Sequence, residues 1–177
     1  MSVSVDLGCG NEPKNPFGAD HVIGLDLVAD QSKGIRQCDL TGGVLPFQDN
    51  GIDFVTAFDC IEHIPRVLHN GHLLKFPFVE LMAEIHRILL PGGKFLSFTP
   101  AFPCKEAFSD PTHVNIITDE TFPLYFCAGG ARRYGFNGKF ELEIQRWHDW
   151  SEWPLTVKNL TNITPPTSHL VTVLVRV

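Results

Sequence analysis

The chain has 177 residues, of which 44% are apolar, enough for one domain with a full core. Its formal net charge of −6 argues against a general nucleic-acid binder, because neutralising phosphates takes clustered Lys and Arg. No apolar run reaches membrane-spanning length and no charged-then-apolar leader opens the chain; Cys9, Cys38, Cys60, Cys104 and Cys127 form no C-x-x-C pair, so no disulfide framework is expected and a reducing cytoplasm is the expected compartment.

Strand-like and helix-like runs alternate, the pattern of a parallel sheet with helices on its faces. Val3 to Leu7 reads as the first strand, His21 to Leu27 as the second and Gly34 to Cys38 as a short third. Asp53 to Phe58 is a near-continuous apolar run, as in buried parallel sheets. Phe78 to Leu90 repeats its apolar residues at helical period, Pro91-Gly92-Gly93 stops it, and Lys94 to Thr99 is a fifth strand. Thr118 to Cys127 reads as a helix capped by Thr118. Phe140 to Trp147 and His169 to Val177 are two last strands, joined without a helix and hence antiparallel, the final one interior. Asn159 and Asn162 match the N-glycosylation pattern, read as chance where no leader precedes them.

Val5-Asp6-Leu7-Gly8-Cys9-Gly10 is a strand running into a glycine turn, and Asp26 ends the second strand. Glycine lets the backbone turn sharply and approach a ligand closely, and a carboxylate at the second strand tip can accept both ribose hydroxyls. Two ligands use this arrangement. A dinucleotide site wants a third glycine where Pro13 stands, and Asp6 would repel a diphosphate. S-adenosylmethionine carries an ammonium and a sulfonium, for which Asp6 makes electrostatic sense.

At this point the chain resembles the class I S-adenosylmethionine-dependent methyltransferases, as a small domain lacking the N-terminal helices of many relatives. The residues from Val5 to Gly10 are similar to that family's first motif, and Gly24-Leu25-Asp26-Leu27 to its second. Cys38-Asp39-Leu40, followed by Leu45-Pro46-Phe47, resembles the segment that meets the adenine. Phe54 to Pro65 resembles the fourth strand and its turn, where substrate and methyl donor meet, and Leu89 to Phe95 the turn into the fifth strand. The resemblance implies an α/β, Rossmann-like, doubly wound fold: a mostly parallel seven-stranded sheet with an antiparallel last strand. Residues 1–177 would be one domain, with 100–135 a substrate lid. It implies S-adenosylmethionine as cofactor, giving S-adenosylhomocysteine, held by Asp6, Gly8, Gly10, Asp26, Leu27, Asp39, Leu40 and Phe58. Asp39 would accept from the exocyclic amine and Leu40 pack on the ring. Glu12 departs from the family, which often has a small residue there.

Methyl transfer needs alignment, exclusion of water and, for many acceptors, a base. Asp59 and His63 follow the fourth strand; Asp110-Pro111-Thr112-His113 follows the fifth. Pro111 fixes a turn that holds Asp110 beside His113, whose tautomer the carboxylate could set, so His113 is preferred over His63 as base. His63, His69 and His72 lie close enough in sequence for a metal set, but Asn70-Gly71 signals a turn between the last two, and no metal is expected. Trp147, Trp150 and Trp153 suit either a sugar ring or packing, and Arg132-Arg133 either an anionic group or solvent. The expected acceptor is a small molecule or saccharide, with no nucleic acid and no membrane, and a homodimer could cover the bare cofactor rim. The alternatives are a non-catalytic S-adenosylmethionine-binding domain and a NAD-dependent oxidoreductase.

Overall fold

The computed structural model describes residues 1–149 and 167–177. Seven strands form one sheet: β1 (Val3–Leu7), β2 (His21–Asp26), β3 (Ile35–Gln37), β4 (Ile52–Phe58), β7 (Leu89–Pro100), β8 (Phe140–His148) and β9 (His169–Arg176). Between β4 and β7 stand a small hairpin, β5 (Leu68–Asn70) with β6 (Leu73–Lys75), and the helix α1 (Pro77–Ile88). The sheet order is β3-β2-β1-β4-β7-β9-β8. The pairs from β3 to β7 are parallel, while β9 runs antiparallel to both β7 and β8. This is the mostly parallel, Rossmann-like α/β sheet with an antiparallel ending, and β9 is interior, between β7 and β8, as its valines and leucines suggest. The order reverses between β1 and β4, which opens a crevice at the carboxyl ends of those strands.

Alternation along each strand divides the core. Val5, Leu7, Val55, Ala57, Phe95, Leu170 and Leu174 pack on one face with Phe78, Leu81, Met82 and Ile85 of α1. Burial of each of those helix side chains stabilises by about 1.5–3 kcal/mol. Pro77 opens α1 at its first position, where a missing N–H costs nothing. On the other face, Phe58, Leu96, Phe98, Val171 and Val173 cluster, and Phe17 stacks on Phe54 with ring centroids 4.5 Å apart.

Helical cover is thinner than a doubly wound pattern leads one to expect. Residues 8–20, where a first crossover helix would run, form turns and bends. Pro13 explains much of this: its Cγ lies 2.7 Å, and the Cys9 Sγ 2.5 Å, from where a Cβ on Gly24 would stand. The loop is therefore wedged flat onto β2, and Pro13 supplies no N–H to a helix. The segment read as a helix from Thr118 begins at Thr121 and runs into a π-helical turn over Pro123–Cys127. Thr118 does cap it, accepting from the Glu120 N–H, while its own N–H donates to the Thr121 hydroxyl. Pro91-Gly92-Gly93 ends the helical period as read, yet the extended backbone of β7 already begins at Leu89. Of residues 100–135, the part after Ile116 belongs to the core, with Ile117, Phe122, Phe126 and Ala131 buried. Among the described residues no helix is long and apolar enough to cross a membrane.

Candidate functional site

Two groups of side chains face the crevice. The first surrounds the glycine loop. Gly8 has φ +62° and Gly10 φ +60°, a region that favours glycine. Gly8 is also pressed on the turn after β4: a Cβ there would stand 2.6 Å from the Cys60 Sγ. The Gly10 N–H donates to a carboxylate oxygen of Asp26 at 2.8 Å, so the tip of β2 and the loop are tied together. Asp26 is partly exposed at that tip, and Leu27 beyond it is exposed.

Asp6 lies beneath this loop. It is fully buried, and both carboxylate oxygens are engaged, by the Thr56 hydroxyl at 2.6 Å and the Lys14 N–H at 2.8 Å. The register explains the first bond, because Asp6 and Thr56 are direct partners on β1 and β4. Burial pushes the Asp6 carboxyl up to about 6, although both hydrogen bonds pull the other way. Asp6 thus anchors the loop over the crevice, and its field acts at short range through it. The Lys14 ammonium lies 5.5 Å from the centroid of the Phe58 ring, which is buried at the end of β4.

Asp39 and Leu40 follow β3. One Asp39 oxygen takes the Thr41 N–H at 2.9 Å and the Thr41 hydroxyl at 2.7 Å, a local turn that holds the carboxyl below its usual range. Leu40 is buried and packs with the core.

The second group gathers where β4 and β7 end. Asp59 has φ +45°, uncommon for a residue other than glycine, and its N–H donates to the Phe98 carbonyl. Its Oδ1 lies 3.0 Å from the Nε2 of His169, whose Nδ1 is 2.7 Å from the Ser168 hydroxyl. His169 stacks on Phe98 at 4.5 Å, which fixes its ring plane. Sequence reasoning missed His169 as a site residue. Its only signal was position, at the start of a strand that neighbours β7.

Glu62 is buried, and its Oε2 accepts from the Thr99 hydroxyl at 2.8 Å. Burial pushes its carboxyl up to about 7. The Glu62 carbonyl accepts from both the Val114 and Asn115 N–H groups, which draws the segment after β7 onto the β4 turn. Buried Asn115 completes the clasp, donating to the Ile61 carbonyl at 2.9 Å and accepting from Arg66 at 2.7 Å.

This clasp brings His63 and His113 together, edge to face, with ring centroids 4.9 Å apart. The carboxylate that the sequence pointed to is not a partner of the His113 ring. Asp110 does not bond the His113 ring; its Oδ1 takes the Thr112 N–H at 2.7 Å and hydroxyl at 2.6 Å. Those bonds hold the Asp110 carboxyl below its usual range. It is His63 whose Nδ1 meets the same Thr112 hydroxyl, at 3.0 Å, while the Nδ1 of His113 faces the Ala107 carbonyl at 3.3 Å. His69 and His72 stand apart in the β5–β6 hairpin, where Gly71 at φ +61° makes the turn. Arg132 and Arg133 are exposed on a short turn, Trp147 is half-buried against the core, and Trp150 and Trp153 lie outside the described residues.

A family model described as a methyltransferase domain matches residues 5–97, and the chain belongs to that family. Its class is the S-adenosylmethionine-dependent methyltransferases that the motifs resemble, with S-adenosylmethionine as the cofactor. Phosphoethanolamine N-methyltransferase 2 of Caenorhabditis elegans is 28% identical over 109 residues, an alignment covering 54% of this chain and 22% of that protein. The chain thus spans about a fifth of that relative's length. Among solved structures, a TehB-like SAM-dependent methyltransferase from Corynebacterium glutamicum superposes with a TM-score of 0.55 at 20% identity, over 99% of this chain and 80% of that one. The small RNA methyltransferase HEN1 does so with a TM-score of 0.61 at 15% identity, over 99% of this chain and 23% of that one.

Proposed function

We propose that the chain binds S-adenosylmethionine at the carboxyl ends of β1, β2 and β4 and passes its methyl group to a small-molecule or saccharide-like acceptor beside Asp59, His63 and His113. The observation that carries this reading is the bond from the Gly10 N–H to Asp26, which sets a loop able to approach a ligand against a carboxylate able to take a ribose. In this reading Gly8 and Gly10 line the ligand, Asp26 takes the ribose, Asp39 and the rim of Leu40 flank the adenine, Leu27 borders it, and Phe58 backs the sulfonium. Asp6 acts from beneath, by anchoring the Lys14 end of the loop and by its charge. The acceptor's proton goes to the Nε2 of His113, with Asp110, Thr112 and His63 holding the ring's neighbourhood. Residues 102–114, the exposed part of the expected lid, cover the acceptor.

The formal net charge of −6 favours a small acceptor over RNA, whose phosphates call for clustered Lys and Arg. A second reading, a cofactor-binding domain without turnover, draws support from the helix-free loop at 8–20, which leaves the crevice thinly covered. Calorimetric titration with S-adenosylmethionine, S-adenosylhomocysteine and NADH tests both. Binding of the first two and not the third is expected, and Asp26→Ala should weaken it by about 1–3 kcal/mol through loss of charge-assisted hydrogen bonds. An unchanged dissociation constant in that variant sinks the assignment. Binding with no transfer of labelled methyl to any pool of small acceptors favours the second reading.

A further inference from the structure

The His63 and His113 rings are set in one tautomer each by their neighbours. The Thr112 hydroxyl spends its proton on Asp110, so toward His63 it can only accept, and His63 must donate from Nδ1. The Ala107 carbonyl can only accept, so His113 also donates from Nδ1. Each neutral ring therefore keeps a bare lone pair on Nε2. The third neighbour is Glu62, 1% exposed, whose Oε1 has no hydrogen-bond partner among the described residues. A ring nitrogen from each histidine and a Glu62 carboxylate oxygen all lie within 4.8 Å of one another. A nitrogen of each imidazole and the Glu62 carboxylate, one of whose oxygens has no hydrogen-bond partner, thus converge in a site half-shielded from water.

We propose that Glu62, His63 and His113 bind a single divalent first-row transition ion of the zinc and manganese kind. Two imidazoles and one carboxylate suit such ions better than magnesium or calcium, which prefer all-oxygen sets. The outer partners are of the sort that ligating histidines use: a backbone carbonyl behind His113, and an Asp110–Thr112 chain behind His63. Thr99 steadies the carboxylate from its other oxygen. Three protein ligands leave coordination positions for water or for an oxygen of the acceptor. The ion would use the lone pair that His113 offers as a base, so the base role belongs to the metal-free protein. The site itself does not depend on methyl transfer.

Titration of the full chain with Co²⁺ alone, read by its visible absorption, tests this. Bands that saturate at one equivalent are expected, and His63→Ala and His113→Ala should each weaken binding by ~10–100-fold or more. Thr112→Val, which leaves all three ligands in place, should weaken it less. The double variant His69→Ala, His72→Ala should bind as the parent does. Circular dichroism confirms folding, and where Glu62→Gln does not fold, the two histidine variants decide. No saturable bands up to millimolar Co²⁺, or bands that survive His113→Ala, or bands lost with His69 and His72, would each overturn the site.

Discussion

The two halves of the crevice are built in opposite ways. The half proposed for the cofactor is local: Asp6, Gly8, Gly10 and Asp26 lie within 21 residues and are joined by two neighbouring strands. The half proposed for the acceptor is assembled from distant parts, with Asp59 to His63 clasped to Asp110–Asn115 by the Glu62 carbonyl, and to His169 by Asp59. A short motif can announce the first half, because its parts are fixed by one turn. It cannot announce the second, whose geometry exists only once β7 and β9 are in register.

Breaking the distant half should have the largest effect. His113→Ala is expected to lower methyl transfer by ~10²–10⁴-fold, the range of a lost proton-transfer group, with little change in S-adenosylmethionine affinity. Single-turnover assays beside calorimetry check the split; equal losses in both would assign His113 to the cofactor half instead. Next comes the seam between the halves. Gly8→Ala puts a Cβ 2.6 Å from the Cys60 Sγ at φ +62°. It should destabilise by about 2–4 kcal/mol, in chemical denaturation, with part recovered by Cys60→Ala. A neutral Gly8→Ala would mean the halves are not in contact.

The smallest effect concerns the local half and pH. Asp6 titrates at about 6 in the native state against 3.8 unfolded. Between those values the folded chain holds a proton that the unfolded chain has released. The stability this gives is therefore full below about 4 and lost as pH rises through about 6, on the order of 2–3 kcal/mol. Asp6→Asn should flatten that part of the profile, measured as the difference from the parent in urea unfolding at each pH. A parallel pair of profiles would remove the buried-acid account of Asp6.

The contrast also governs what was legible beforehand. The bounds of β1 could be read to the residue, because Val3, Val5 and Leu7 alternate with Ser4 and Asp6 up to a glycine, which the structure holds at positive φ. The interior place of β9 followed from its valines. The tautomer partner of His113 could not be read: Pro111 did fix a turn, but the turn's own Thr112 captured Asp110. Local satisfaction won over a pairing that spacing made plausible. The π-helical turn at Pro123–Cys127 reads as ordinary helix from Thr118 and Thr121, which mark a helix start and say nothing of its pitch; Phe122 and Phe126 both pack on Phe78. His169 went unseen because what ranks it is a hydrogen bond across 110 positions.

Asp59 carries a backbone twist that glycine would adopt more readily, and aspartate tolerates it better than most residues do. A laboratory selection for heat resistance alone would therefore drift toward glycine at this position, relaxing the tip of β4. The same drift would cut His169 loose from the edge of the crevice. Endurance and activity should then diverge along one evolutionary line, and the residue at 59 would record which of them had been selected.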